Sequence, residues 1–170
     1  MPADSGLDQE KAGGEKKRML QMWLDQNQYS RKGILRYEAI FGRTYVSVGG
    51  EETTKDFCSK LCLTPGMKVL DIGCGTGGSA FYMARRYVTL HLILEAIRSF
   101  KKCHQDVFIS LQFPRYGVDV HGVDLASNMI AIAQDYRLEM EPEVKHRVQF
   151  YIEDATAMSY PKNFYDVVYR

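Results

Sequence analysis

The feature that most constrains the fold is a glycine-rich turn that directly follows a short apolar strand. Residues 68–78 have the sequence KVLDIGCGTGG, and a helical segment follows them. Glycine lets the backbone adopt positive φ and lets a ligand approach the main chain closely. The free N–H groups at the start of the following helix then face that ligand. The segment therefore predicts the first strand–turn–helix unit of an α/β protein that binds a nucleotide-type cofactor.

Two classes of cofactor fit the spacing of these glycines. Gly73, Gly75 and Gly78 match the dinucleotide pattern G-x-G-x-x-G, which by itself is a weak signal. Gly73, Gly75 and Gly77 match the acid-x-G-x-G-x-G loop of enzymes that use S-adenosylmethionine (SAM). Asp71 favours SAM, because a carboxylate beside the glycines suits a sulfonium and an ammonium group and would repel a pyrophosphate. An NAD(P)-dependent oxidoreductase is the weaker alternative.

Two further acids follow the next two apolar strands. Asp124 and Leu125 end the second predicted strand, at a point where an acid binds ribose hydroxyls in such units. Asp154 and Ala155 follow the third, where SAM enzymes place an acid against the adenine amino group. Taken singly, Asp124 or Asp154 is equally well explained as a helix cap or a solvated loop residue. Three acids after three successive strands form a stronger pattern, and they predict a doubly wound, mostly parallel α/β sheet.

The distance between the first two acids indicates an insertion. Asp71 and Asp124 are separated by 53 residues, whereas about 20 residues are expected from the glycine loop to this acid. Residues 88–116 are rich in Leu, Ile, Phe and Val and contain no glycine, and removing them shortens the separation to 24 residues. The removal also places Gly117 directly after the helix, where glycine commonly ends helices. A family-specific loop and a retained intron both explain the segment, and we favour the intron.

Composition excludes several classes of protein. The 170 residues correspond to one domain, and a net charge of +1 with scattered basic residues argues against nucleic acid as a partner. No apolar run approaches 18 residues, so we expect no insertion into a membrane. The four cysteines lack the spacing of a zinc site, so we expect reduced thiols, no metal and a cytoplasmic location. The sequence leaves the oligomeric state open.

The chain divides into three parts by composition. Residues 1–15 are polar and glycine-containing, and we expect them to be disordered. Residues 16–63 have helical patterns and form a predicted N-terminal helical lid. Residues 64–170 hold the β–α–β pattern and form the predicted cofactor-binding core.

Several short motifs together identify a family. Residues 27–30 are NQYS, residues 36–42 are RYEAIFG and residues 45–50 are YVSVGG; GVDL at 122–125 and FYDVVY at 164–169 accompany the Asp71 loop. With these motifs the chain resembles the phosphoethanolamine N-methyltransferases of the nematode and protozoan kind. The glycine loop marks SAM methyltransferases in general, whereas the first two motifs are much more specific. The resemblance covers residues 16–170 apart from the insertion.

The resemblance implies a Rossmann-like SAM-methyltransferase fold and a reaction. The family transfers the SAM methyl group to the amine of phosphoethanolamine, or of its methylated forms, towards phosphocholine. Tyr29 matches the family's catalytic tyrosine, which works with a histidine to remove a proton from the attacking nitrogen. From the residues alone, Tyr29 between two helices would be interpreted as a core residue. The cofactor-binding positions implied are Tyr37, Val46, Ser47, Asp71, Gly73, Gly75, Asp124, Leu125, Asp154 and Ala155.

The sequence also departs from the family pattern. It ends at Arg170, after the fourth predicted strand, whereas the family's catalytic histidine and phosphate-binding residues lie beyond that strand. None of His91, His104, His121 and His146 stands at the matching place. We therefore expect the chain as written to be inactive or a weak SAM binder, with an exposed sheet edge. A non-catalytic SAM-binding fragment and a methyltransferase for another small acceptor are the alternatives.

Overall fold

The computed structural model describes residues 5–85 and 116–170, with side chains from residue 13 onward. Within these residues, helices flank a four-stranded sheet. The helices are α1 (Ser5–Trp23), α2 (Arg31–Phe41), α3 (Gly50–Lys60), α4 (Gly78–Ala84), α5 (Ser127–Glu139) and α6 (Pro142–Arg147), and a π-helical turn spans Leu24–Gln28. The strands are β1 (Lys68–Ile72), β2 (Asp119–Asp124), β3 (Val148–Ile152) and β4 (Val167–Tyr169).

The four strands are parallel and lie in the order β3-β2-β1-β4. Val69 of β1 is opposite Val120 of β2 and Val167 of β4, and Gly122 of β2 is opposite Phe150 of β3. The middle of β1 is buried, as expected for a central parallel strand. The strand order reverses direction at β1, which opens a crevice at the carboxyl ends of β1 and β4. The predicted α/β fold with a doubly wound parallel sheet is confirmed.

Two hydrophobic clusters hold the helices in place. The larger lies between the sheet and α4–α6, and Phe81 meets Phe150 there edge to face at 5.4 Å between ring centroids. The smaller joins α2 to α5 through Ile34, Met129 and Ile132. Since α2 immediately precedes the loop that reaches the sheet edge, the second cluster sets the position of that loop.

Helix α1 differs from the prediction for the N-terminal residues. It begins at Ser5, so residues 5–15 are helical where disorder was expected. Helix α1 as a whole is rich in Glu, Lys, Gln and Met, which favour helices, and this preference outweighs the cost of Gly6, Gly13 and Gly14. Met19, Met22 and Trp23 are exposed along the helix. No helix in the described part of the chain is long and apolar enough to cross a membrane.

The predicted insertion at 88–116 lies outside the described residues except for Tyr116. Helix α4 ends at Ala84, and Gly117, at φ +104°, donates its N–H to the Met83 carbonyl over 3.1 Å. Tyr116 is 1% exposed and packs against Tyr82, with 5.6 Å between ring centroids. The chain therefore returns to the carboxyl end of the helix that it left, and Tyr116 belongs to the core. That the intervening residues are an insertion stays a prediction.

Candidate cofactor-binding site

A cavity of about 220 Å³ lies at the carboxyl ends of β1 and β4. This is the crevice in which open α/β sheets bind their ligands. Five of the predicted cofactor-binding residues line it: Val46, Ser47, Asp71, Gly73 and Gly75. The rest of the lining comes mainly from α3, the first turn of α4 and the end of β4, and includes Thr53, Thr54, Phe57, Ser79, Tyr169 and Arg170.

Asp71 is the most unusual charged residue of this cavity. It lies near the end of β1 and is only 2% exposed, and its Oδ2 has no hydrogen-bond partner within the described residues. Burial, together with the nearby negative charge of Asp124, raises the pKa of Asp71 to about 7. An unpaired buried carboxylate oxygen is costly. Since a ligand cation would remove this cost, the cavity suits a cation and disfavours a pyrophosphate.

Two glycines give the cavity its shape. Gly73 has a φ of +71°, which favours glycine, and a Cβ atom built there would meet nothing within 4 Å, so open space adjoins the loop. Gly78 is a site of close approach, because a Cβ atom there would lie 2.6 Å from the Thr44 carbonyl oxygen. The Gly78 N–H instead donates to that oxygen over 3.0 Å. The loop that carries Val46 and Ser47 can therefore pack directly on the first turn of α4.

A buried carboxylate holds the same loop from its other side. Glu38 of α2 accepts the Thr44 N–H at 3.1 Å and the Tyr136 hydroxyl of α5 at 2.6 Å. The Arg43 guanidinium lies over the Tyr136 ring, 4.5 Å from its centroid, and pairs with Glu139. The sequence predicted none of these contacts, which fix the loop between α2, α5 and the glycine turn.

Asp124 lies beside the glycine loop without lining the cavity. Its Oδ2 accepts the Gly75 N–H at 3.1 Å and its Oδ1 accepts the Ala126 N–H at 2.9 Å. Burial raises the pKa of this carboxyl, and the two backbone hydrogen bonds oppose the shift. Leu125 is half-buried next to it. The predicted ribose-binding acid is thus at the end of β2, one strand from Asp71.

Asp154 and Ala155 follow β3 at the same edge of the sheet. The Asp154 Oδ1 accepts the N–H and the hydroxyl of Thr156 at 2.9 and 2.7 Å, and these hydrogen bonds lower the pKa of Asp154. Ala155 is exposed, and neither residue lines the cavity. The three acids therefore stand at the ends of three adjacent strands, in the predicted order. Their contacts with a cofactor stay predictions.

The structure does not bring the two predicted tyrosines into this cavity. Tyr29 is half-buried against the smaller hydrophobic cluster, and its hydroxyl accepts a hydrogen bond from the Gln28 side chain at 3.2 Å. Tyr37 is 42% exposed on α2 and stacks on Phe41, with 6.5 Å between ring centroids. The catalytic role of Tyr29 and the cofactor contact of Tyr37 stay predictions.

A group of three hydroxyls was not predicted from the sequence. Thr54 of α3, Ser79 of α4 and Tyr169 of β4 meet at one side of the cavity. Since each comes from a different element, only the tertiary structure brings them together. Their one sequence signal is that Ser79 directly follows the glycine loop. The described residues contain no cluster of side chains that could hold a metal ion.

The sheet, the glycine loop and the acids at successive strand ends define a Rossmann-like protein that binds a nucleotide-type cofactor. A family model described as a methyltransferase domain matches residues 63–170. The chain belongs to this methyltransferase domain family. A second model, described as mycolic acid cyclopropane synthetase, matches residues 19–97.

Curated relatives of the chain are named phosphoethanolamine N-methyltransferases, which is the family that the sequence motifs indicated. The chain is 43% identical over 149 residues to phosphoethanolamine N-methyltransferase 1 of Zea mays. This match covers 88% of the chain and 23% of the maize protein. It is 29% identical over 147 residues to phosphoethanolamine N-methyltransferase of Plasmodium falciparum, and this match covers 86% of the chain and 42% of the Plasmodium protein. The chain thus spans about a quarter of the length of the plant relatives that it matches. The predicted resemblance to this family is confirmed.

Solved structures agree with the sequence comparison. Phosphoethanolamine N-methyltransferase 2 of Haemonchus contortus, in complex with SAM, matches with a TM-score of 0.62 and 28% identity, over 87% of this chain and 27% of that one. The same Haemonchus enzyme, in complex with phosphomonomethylethanolamine and S-adenosylhomocysteine, matches equally well. The fold is therefore the Rossmann-like methyltransferase fold.

Proposed function

We propose that the chain binds SAM in the cavity beside Asp71 and serves the N-methylation of phosphoethanolamine or its methylated forms, towards phosphocholine. The observation that carries this proposal is the buried Asp71 Oδ2, which has no partner within the described residues and belongs to a residue that lines the cavity together with Gly73. The named relatives and the ligands of the Haemonchus structures support the same reaction.

The residues present fit SAM in three respects. Asp71 offers a carboxylate for the α-ammonium, and the space at Gly73 admits the amino-acid part of the cofactor. Asp124 and then Asp154 lie at the ends of the next two strands, so the ribose and the adenine would extend across the sheet edge towards β3. SAM supplies an electrophilic methyl group when it is bound. A dinucleotide would instead place its pyrophosphate against Asp71, which the charge disfavours.

The acceptor must lose a proton before it can be methylated, because an ammonium nitrogen has no free electron pair. We assign this proton transfer to Tyr29, whose hydroxyl is held by Gln28 and whose carbonyl accepts a hydrogen bond from the Asn128 side chain at 3.0 Å. These contacts fix the tyrosine at the amino end of α5, next to the strand that ends in Asp124. We place the reaction in the cytoplasm, since Cys58, Cys62 and Cys74 are free thiols.

Cofactor binding is tested by thermal unfolding of the chain with SAM, S-adenosylhomocysteine or NAD⁺. We expect SAM to raise Tm, since a ligand at 100 times its Kd stabilises the folded state by about 2.7 kcal/mol. Asp71→Asn should abolish most of the shift. Asp119→Asn, which removes a carboxylate at the opposite end of β2, is the matched control and should keep it. A shift with NAD⁺ and none with SAM would contradict the proposal.

The acceptor is tested by following label from methyl-labelled SAM into phosphoethanolamine, ethanolamine or a sterol. Label in phosphoethanolamine alone supports the phosphobase. Label in another acceptor would favour a methyltransferase of different specificity. If SAM binds but no acceptor is labelled, the chain acts as a non-catalytic SAM-binding unit.

A further inference from the structure

A second cavity, of about 190 Å³, adjoins the cofactor cavity. Thr44, Tyr45 and Gly78 line both cavities, so these residues form the wall between them. The rest of the lining of the second cavity is Arg43, Glu51, Phe81, Tyr82, Arg85 and Met140. We call this space the arginine cavity. The proposed methyl transfer uses none of the residues that line it alone.

Arg85 brings an unpaired positive charge to the arginine cavity. It is exposed and directly follows α4. Its guanidinium donates to the Met140 sulfur over 3.6 Å, and within the described residues it forms no ion pair. A thioether sulfur is a weak acceptor. Since arginine stays charged in proteins and holds its N–H donors in a rigid fork, Arg85 is ready to bind an anion.

Arg43 supplies a second guanidinium whose position is fixed by stacking. The guanidinium lies over the Tyr136 ring, 4.5 Å from its centroid, and it also pairs with Glu139. The side chains of this ion pair are 61% and 56% exposed, and exposed pairs are weak. A doubly charged anion can therefore replace Glu139 as the partner of Arg43, while the stacking on Tyr136 is kept.

The other lining residues do not oppose an anion. Glu51 carries the one negative charge of this lining, and it is already paired with Lys55 at 3.1 Å. Phe81 and Tyr82 are buried residues of α4, and Met140 packs against the larger hydrophobic cluster. The cavity thus combines two guanidinium groups with an aromatic and apolar surface.

This combination defines the ligand. A phosphate monoester carries two negative charges, and its oxygens match the paired N–H groups of arginine. Its organic part can lie against the aromatic and apolar surface. We propose that the arginine cavity binds a small phosphate monoester through Arg43 and Arg85. This inference does not depend on SAM, and it adds an anion site behind the loop that carries Val46 and Ser47.

Titrations followed by phosphorus NMR test the site, with inorganic phosphate and phenyl phosphate as probes at constant ionic strength. We expect the 170-residue chain to bind both, and phenyl phosphate more tightly. Arg85→Gln should weaken each about tenfold, which is typical of losing hydrogen bonds to a charged group. Arg31→Gln is the matched control, because it also removes an exposed guanidinium, paired with Asp135 at 2.7 Å away from the cavity, and it should match the wild type.

Glu139→Gln should act in the opposite direction. It removes the carboxylate that competes for Arg43, so both probes should bind more tightly, by up to about fivefold. A substitution that merely loosened the fold would weaken binding instead. This variant also keeps the test decisive if Arg85→Gln does not fold.

S-adenosylhomocysteine separates the two cavities. With the cofactor cavity saturated, phosphate should still bind, whereas its displacement would place it in the cofactor cavity and overturn this inference alone. If S-adenosylhomocysteine does not bind, the proposed function fails and the Arg85 and Glu139 variants decide the anion site. A wild type that binds neither probe, or an Arg85→Gln variant that binds as the wild type does, would also overturn it. Loss in Arg85→Gln together with gain in Glu139→Gln supports it.

Discussion

The carboxylate of Asp25 accepts a hydrogen bond from the backbone N–H of Asn128 at 3.1 Å, although 103 positions separate the two residues in the sequence. The other oxygen of Asp25 accepts the Ser127 hydroxyl at 2.5 Å, and the Asn128 side chain donates back to the Asp25 carbonyl. Helix α5 has no capping side chain from its own N-cap residue, Ala126. Asp25 therefore caps α5 from a distance and fastens the π-helical turn to the cofactor-binding core.

Removing this cap should destabilise the folded chain. We expect Asp25→Ala to lower the free energy of unfolding by about 1–2 kcal/mol, because N-cap losses have that magnitude. Asp25→Asn, which keeps one acceptor oxygen, should cost less. Urea unfolding followed by circular dichroism gives both values. The control is Asp135→Ala, which breaks an exposed ion pair with Arg31 and should cost less than about 1 kcal/mol. Equal losses in the Asp25→Ala and control variants would argue against the cap.

The raised pKa of Asp71 predicts a pH dependence of stability without ligand. Its pKa is about 7 in the folded chain, against about 3.9 in an unfolded one. Between these values the folded state keeps a proton that the unfolded state has lost. The free energy of unfolding therefore falls as pH rises from 4 to 7, by up to about 1.4 kcal/mol per pH unit from this group. Urea titrations at several pH values should show that the free energy of unfolding of Asp71→Asn increases relative to that of the wild type as pH rises from 4 to 7. The same pH dependence in both proteins would contradict the raised pKa of Asp71.

The same carboxyl should make cofactor affinity depend on pH. A cationic ligand binds more tightly to the ionised form of Asp71, so the affinity for SAM should rise between pH 6 and pH 8. In Asp71→Asn the affinity should be lower and nearly independent of pH over this interval. Calorimetric titrations at three pH values measure both effects. An affinity for SAM that falls with rising pH in the wild type would count against a cation beside Asp71.

Gly78 should tolerate no side chain. In Gly78→Ala the new Cβ atom would press on the Thr44 carbonyl and the Tyr45 ring, both 2.6 Å away. We expect a loss of about 1–3 kcal/mol in unfolding free energy, together with weaker binding of SAM, because the displaced loop lines the cavity. Gly14→Ala in α1 is the control, since a Cβ atom there meets nothing within 4 Å and should stabilise the helix slightly. Unchanged stability in Gly78→Ala would show that the loop moves freely.

Deleting residues 88–116 should leave a folded protein that binds SAM. The deletion joins Tyr87 to Gly117, so a tyrosine again precedes the glycine, as Tyr116 now does. That tyrosine can occupy the buried place against Tyr82, and the Gly117 N–H can still reach the Met83 carbonyl. We expect the same affinity for SAM and a Tm at least as high as that of the full chain. Loss of the cooperative transition on deletion would show that the segment is part of the fold.

The sheet was predictable because its first three strands are short apolar runs, each of which ends in or is followed by an acid or a glycine. Parallel strands end at one edge, so the order of Asp71, Asp124 and Asp154 across it followed directly. The local sequence pattern did not predict hydrogen bonds to residues that are distant in the sequence. The hydroxyl of Ser127 and the backbone N–H of Asn128 both bond to Asp25, which lies outside the helix and far away in the sequence.

The site was predictable only where backbone geometry determines it. Gly73 and Asp71 could be placed from spacing alone, since the glycine loop must follow the first strand. The burial of Glu38 and the meeting of Thr54 with Ser79 depend on how helices pack, which no short motif records. Tyr37 is a case in which a motif match predicts a cofactor contact and the structure shows a side chain that is 42% exposed on α2, so its contact with the cofactor stays a prediction.

The return of the chain at Gly117 has a consequence for protein engineering. The two ends of the segment between Arg85 and Tyr116 are held at the same helix terminus, and lengthening a flexible segment of this kind costs about 0.6 kcal/mol in loop-closure entropy for each doubling of its length. The segment between Arg85 and Tyr116 is therefore a suitable place to insert a reporter domain. A fluorescent protein placed there would be attached to the core at one point, with the cofactor edge of the sheet left open.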